Sequence, residues 1–150
     1  MKFNFRLRPV LNIKIQKEDF LKAELGRALR ILDRENRKLE LMISELSRYT
    51  TEYRGLLKNV CTANEVNSYN YYFNKQKERI KIQIESVNKA RENADKIRKE
   101  LLDITKEKKM LEKLEEKKRI IYNRVLLSKE QKLIDEIVSY KQNVKLAEVE

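Results

Sequence analysis

Histidine is absent from this sequence, and with it the side chain that most often serves as general base or metal ligand near neutral pH. The single cysteine, Cys61, excludes an intramolecular disulfide, fits a reducing compartment, and without histidine cannot form a Cys–His nucleophile. Two isolated glycines, Gly26 and Gly55, cannot build a phosphate-binding loop or a dinucleotide fingerprint. No uncharged apolar run approaches the ~18 residues of a membrane span, and the opening residues Lys2-Phe3-Asn4-Phe5-Arg6 hold no stretch that would serve as a signal peptide. Acidic neighbours such as Glu115-Glu116 sit among lysines and read as surface charges on an exposed helix. These absences argue against an enzyme. No catalytic residue, cofactor or metal site is expected, and the location is expected to be cytosolic, with peripheral association at a membrane.

Turn-forming residues are scarce too, so the chain has little material for many short elements. What it has instead is period. Stepping alternately by four and three from Leu7 gives Leu7, Leu11, Lys14, Glu18, Leu21, Leu25, Ala28, Leu32, Glu35, Leu39, Met42, Leu46, Tyr49, Tyr53, Leu56 and Val60. Thirteen of these sixteen are apolar or aromatic, which makes the repeat a coiled-coil seam rather than a chance run. A helix with one narrow stripe must bury it against another helix, so the function is expected to be mechanical or interactional. Pro9 suits the first turn of that helix, where its missing N–H is not needed. Gly26 either marks a bend or close approach, or is a tolerated surface glycine.

The period breaks at Thr62-Ala63-Asn64-Glu65-Val66-Asn67-Ser68, a polar, turn-like stretch in which Asn67 or Ser68 can cap a helix. Beyond it a second stripe runs through Phe73, Gln76, Ile80, Gln83, Val87, Ala90, Ala94, Ile97, Leu101 and Ile104. After Leu111 the stripe is expected to drift through Leu114, Ile121, Val125, Leu133, Ile137 and Tyr140. Glu85–Lys89, Glu92–Lys96, Asp95–Lys99 and Glu115–Arg119 read as helix-supporting pairs on the outer face. The reading is all-α: one antiparallel two-helix coiled-coil hairpin over 1–150, with helices at about 7–61 and 69–141 and a turn at about 62–68. At 1.5 Å per residue the helices would be roughly 80 and 110 Å long, so the second overhangs where the termini meet. A single long helix that dimerises is the competing architecture.

Two compositional features suggest surfaces. The turn is flanked by Tyr49, Tyr53, Tyr69, Tyr71, Tyr72 and Phe73, more aromatics than a two-helix seam can hold. One or two of Tyr71, Tyr72 and Phe73 are expected to be exposed as a docking patch; the alternative is a tip sealed by its own aromatics. The net charge is +11, which favours acidic partners. Lys2, Arg6, Arg8, Lys14 and Lys17 all precede the first acid, Glu18, and a second basic stretch spans Lys106 to Arg119. The basic runs lack interleaved aromatics, so no nucleic acid partner is expected.

The run Phe3-Asn4-Phe5-Arg6-Leu7-Arg8-Pro9-Val10-Leu11, followed by Lys17-Glu18, resembles the opening of FliJ-type flagellar export proteins. So do Arg98-Lys99-Glu100 through Leu111-Glu112-Lys113-Leu114-Glu115-Glu116-Lys117, Tyr122, Glu130-Gln131-Lys132 and Ile134-Asp135-Glu136-Ile137. The resemblance covers nearly the whole chain and rests on order and spacing, since each motif is Lys/Glu-rich. It implies a soluble, non-enzymatic part of the flagellar type III export apparatus, with an antiparallel coiled-coil fold. The implied partners are the flagellar export ATPase hexamer, the cytoplasmic domain of the export gate membrane protein, and export chaperones. Arg6, Leu7, Arg8, Val10, Leu11, Glu130, Gln131, Lys132 and Asp135 would face the ATPase ring; Leu46, Tyr49, Tyr53, Tyr72 and Phe73 would lie at the gate-binding surface. The rival readings are the equivalent stalk of a virulence-type secretion system, a basic nucleic-acid-binding coiled coil, and a purely structural dimeric spacer.

Overall fold

The computed structural model describes residues 2–59 and 61–150. Two helices make up the fold: α1, Arg8–Leu57, and α2, Ala63–Val149, packed against each other as a helical hairpin with no strand among the described residues. The chain divides into two compact units, one formed by Met1–Gln16 with Ile104–Glu150 and the other by Lys17–Asp103. In the unit Lys17–Asp103, Tyr53 meets Tyr69, Tyr49 meets Tyr72 and Glu35 meets Gln83. In the terminal unit, Lys14 meets Glu107, Arg8 meets Glu115 and Phe3 meets Tyr122. Partners descend on one helix as they ascend on the other, which is antiparallel pairing.

The α1 seam holds throughout. Every described member of the four–three series from Leu7 to Leu56 is buried or half-buried; Val60 lies outside the described residues. Leu11, Leu21 and Ala28 are the best buried of its apolar members, and each such Leu contributes roughly 1.5–3 kcal/mol by leaving water. On α2 the positions from Phe73 to Ile104 are likewise buried or half-buried, with Val87 and Ala94 deepest among the apolar ones. A Cβ on Gly26 would meet only the Arg30 guanidinium at 3.9 Å, so this glycine admits no second backbone and reads as a tolerated one.

Three elements differ from the sequence expectation. First, α1 ends at Leu57 and α2 begins at Ala63, so the connection lies earlier and is shorter than 62–68. Thr62 and Glu65 explain the start: the Glu65 N–H donates to Thr62 Oγ1 (3.4 Å) and the Thr62 N–H donates to Glu65 Oε2 (3.3 Å). That is a reciprocal capping box, and Asn67 and Ser68 fall inside the helix rather than at its start. Second, α2 runs to Val149, past the expected end near 141, because no Gly or Pro stands anywhere from Ala63 onward.

Third, the stripe keeps its phase from Ile104 to Tyr122 instead of drifting after Leu111. The inward positions are Lys108, Leu111, Glu115 and Tyr122, in the same phase as Ile104, whereas Leu114, Ile121 and Val125 face outward. Glu115 is therefore a seam residue and not an outer-face charge. Its carboxylate accepts from Arg8 Nη1 at 2.8 and 3.0 Å as well as from Arg119. On the outer face Asp95 pairs with Arg98, one residue nearer than the expected Lys99.

The non-apolar seam positions are each satisfied. Lys14 pairs with Glu107, buried Glu18 with Lys22 at 2.9 Å, and buried Gln76 donates to the Tyr72 hydroxyl at 2.9 Å. Gln83 Nε2 donates to both the Glu35 carboxylate (2.7 Å) and the Glu35 carbonyl (2.9 Å). A polar pair inside an apolar seam costs stability but specifies register, because any slip buries it unpaired.

Two outcomes follow. Thr62→Ala removes the cap and should cost about 1 kcal/mol in a urea unfolding titration, with helix content otherwise retained. The Gln83 amide, and secondarily Lys38, holds the Glu35 carboxyl below its ordinary value. Its contribution is thus present at neutral pH and is lost as pH falls through the lowered folded value. Gln83→Leu should flatten the acid limb of stability against pH; equal slopes in both proteins would show that Glu35 is not linked to folding.

Candidate partner-binding surfaces

The nine positions expected to face an ATPase ring all belong to the terminal unit, but they do not form one patch. Arg6, Arg8 and Val10 are exposed and Leu7 is half-buried. Leu11 is 1% exposed, so no partner can touch it without separating the helices. Glu130, Gln131, Lys132 and Asp135 are exposed on α2, with Gln131 Nε2 donating to Asp135 Oδ1 at 3.0 Å. Phe3 packs against Tyr122 with the rings tilted by 56° and their centroids 5.6 Å apart, and the Arg119 guanidinium lies 5.5 Å over the Phe3 ring. Residue 130 lies eight positions beyond that contact, about 12 Å further along the helix. From Asn123 to the end of α2 every residue is exposed.

Charge divides this unit. Over 2–16 and 104–150 there are sixteen Lys and Arg against nine Asp and Glu, a net +7. Residues 123–150 hold five of each sign, so the whole excess sits on the paired segments. The paired part is basic and the overhanging part is neutral and apolar-striped.

The five positions expected at a gate surface do come together, in the unit Lys17–Asp103. Tyr49 and Tyr72 lie 4.1 Å apart, and Tyr53 meets Phe73 edge-on at 5.5 Å and Tyr69 at 5.4 Å. All five are half-buried. Tyr72 and Phe73 are thus seam residues that close the helix pair, and burial pushes the Tyr72 phenol above its ordinary value despite the Gln76 hydrogen bond. A shallow groove beside them is floored by Leu46, Tyr53, Leu57 and Phe73 and edged by Arg54 and Lys77. Of the three aromatics expected to supply an exposed patch, Tyr71 alone is exposed, with Lys75 Nζ 4.8 Å above its ring.

Phe5 was not singled out by the seam, which starts at Leu7, yet it is 4% exposed and belongs to the core. The signal was present: Phe3 and Phe5 alternate with polar residues just before the helix, and an extended segment with that alternation folds one face inward. The Arg8 N–H donating to the Phe5 carbonyl at 3.0 Å anchors the segment as it enters α1.

Tyr72→Ala should lower stability by about 2 kcal/mol, less than a fully buried aromatic would cost, whereas Tyr71→Ala should change it by no more than about 0.5 kcal/mol. Thermal or urea unfolding of the two variants separates seam from surface.

Among the described residues no helix is long and apolar enough to cross a membrane, and no group of acidic or cysteine side chains is placed to hold a metal. Comparison with curated proteins and with solved structures finds no match. A family model described as "Flagellar FliJ protein" matches residues 2–146, which spans both helices and both units. The hairpin, its polar-punctuated seam and this match agree: the chain belongs to the FliJ flagellar protein family and is a non-catalytic component of the flagellar export apparatus.

Proposed function

We infer that this protein acts as the stalk of the export ATPase. Its terminal unit inserts into the hexameric ring, promotes assembly of the ring and raises its activity. The segment around Leu46, Tyr49, Tyr53, Tyr72 and Phe73 faces the cytoplasmic domain of the export gate, with Tyr71 and the Arg54–Lys77 groove offering the accessible contacts. It also serves the chaperones that deliver substrates. The working location is the cytoplasmic side of the membrane at the flagellar base.

The observation that carries this reading is the overhang of α2. Past the Phe3–Tyr122 contact, a helix of more than seven turns stands with all its side chains exposed, next to a paired segment holding a net +7. An asymmetric helix of that kind meets the subunits of a symmetric ring unequally, so it can bias a cycle without performing chemistry. Leu7 and Leu11 take part by holding the base of the overhang in place, while Arg6, Arg8, Val10, Glu130, Gln131, Lys132 and Asp135 can touch the ring directly.

Titration of the purified ATPase with this protein should raise hydrolysis and hexamer formation together. Lys132→Glu combined with Asp135→Lys should weaken the effect about tenfold, corresponding to about 1.4 kcal/mol, with no loss of helix content. Absence of both stimulation and assembly by the wild-type protein would overturn the stalk reading.

A further inference from the structure

The overhang carries a seam of its own. Leu126, Glu130, Leu133, Ile137, Tyr140 and Val144 follow strict steps of four and three, and five of the six are apolar or aromatic. The series begins four residues after Tyr122, the last α2 position held against the amino-terminal segment, and lies on the same helix face. All five apolar members are exposed, Leu133 to 59% and Tyr140 to 70%. A 3.5-residue stripe this narrow suits one partner helix rather than a broad surface.

We propose that the partner is the same segment of a second copy of this chain, paired antiparallel about residue 135. Three observations select it. The first is internal complementarity. With a two-fold axis at residue 135, Leu126 meets Val144 of the other copy, Leu133 meets Ile137, and the Glu130 carboxylate meets the Tyr140 hydroxyl, which donates to it. The single polar position is therefore answered by the single hydroxyl in the seam, and every other layer is apolar.

The second is charge. Arg124, Lys129, Lys132, Lys141 and Lys145 balance Glu130, Asp135, Glu136, Glu148 and Glu150, whereas residues 2–122 carry the entire +11. A second copy is repelled by the rest of this chain and not by this segment. The third is area. Covering the five seam side chains with the flanking Leu127 and Ile134 on both copies removes on the order of 1,000 Å² from solvent, the lower edge of a specific interface. The pairing is accordingly reversible. Of the ring contacts proposed above only Glu130 lies on this stripe, while Gln131 and Asp135 lie on the opposite side of the helix; the inference goes beyond the stalk reading and does not depend on it.

Sedimentation equilibrium of the chain alone tests this. The apparent mass should rise from 18.1 kDa toward twice that, with a midpoint on the order of tens of micromolar. Leu133→Asp with Ile137→Asp should raise the midpoint about a hundredfold while the unfolding midpoint measured on dilute monomer is unchanged. Glu136→Gln should tighten the dimer, because Glu136 flanks the axis and meets its own copy. In a Cys61→Ser background, spin labels on Asn123→Cys should sit about 36 Å apart along the axis; parallel pairing would bring them side by side. A monomeric mass at millimolar protein, an unweakened dimer in the double aspartate variant, or adjacent labels at position 123 would each overturn the proposal. None of these outcomes bears on ATPase stimulation, which is measured separately.

Discussion

A helix that packs on only one other helix has a single stripe to bury, and no third layer rescues a residue that misses it. That constraint governs this protein. Within the helices of each unit the best-buried apolar side chains follow a line of steps of three and four, and large apolar side chains off that line, such as Phe20, Leu41 and Ile82, remain in solvent. It also makes each polar intrusion consequential. Glu35 with Gln83 in one unit, and Arg8 with Glu115 and Lys14 with Glu107 in the other, pair helix with helix at defined heights. An apolar stripe alone would tolerate a slip of one heptad; these pairs would not survive it.

The same thinness places function at surfaces such as the groove lined by Leu46, Tyr53, Leu57 and Phe73. The surfaces that remain are of different kinds. Around the connection, aromatic side chains close the helix pair, and the residues left accessible are Tyr71 and the basic edges of a shallow groove. In the terminal unit, basic paired segments lead to a neutral helix whose stripe is uncovered. Neither surface requires a catalytic group, in keeping with a non-catalytic component of the flagellar export apparatus.

Much of the fold was legible because the signal for α1 is local and periodic: Leu21, Leu25, Ala28 and Leu32 announce their face without reference to any other part of the chain. The start of α2 was equally legible in Thr62-Ala63-Asn64-Glu65, but the capping box lost to the more conspicuous Asn67-Ser68. Glu115 was read as an outer charge because it stands four residues before Arg119, a spacing that fits an exposed pair as well as a seam position. Which of the two applies depends on Arg8, more than a hundred residues away in sequence.

The sequence by itself determined the helices, the α1 stripe, the α2 stripe from Phe73 to Ile104 and the grouping of aromatics at the turn, because each depends on neighbours within a few residues. Register was decided by the tertiary structure alone. Once Phe3 settles on Tyr122 and Arg8 on Glu115, the amino-terminal segment is used up, and everything on α2 from Asn123 onward is left exposed. The overhang and the inward placing of Tyr72 and Glu115 follow from which residue meets which across the helix pair, and no local pattern contains that.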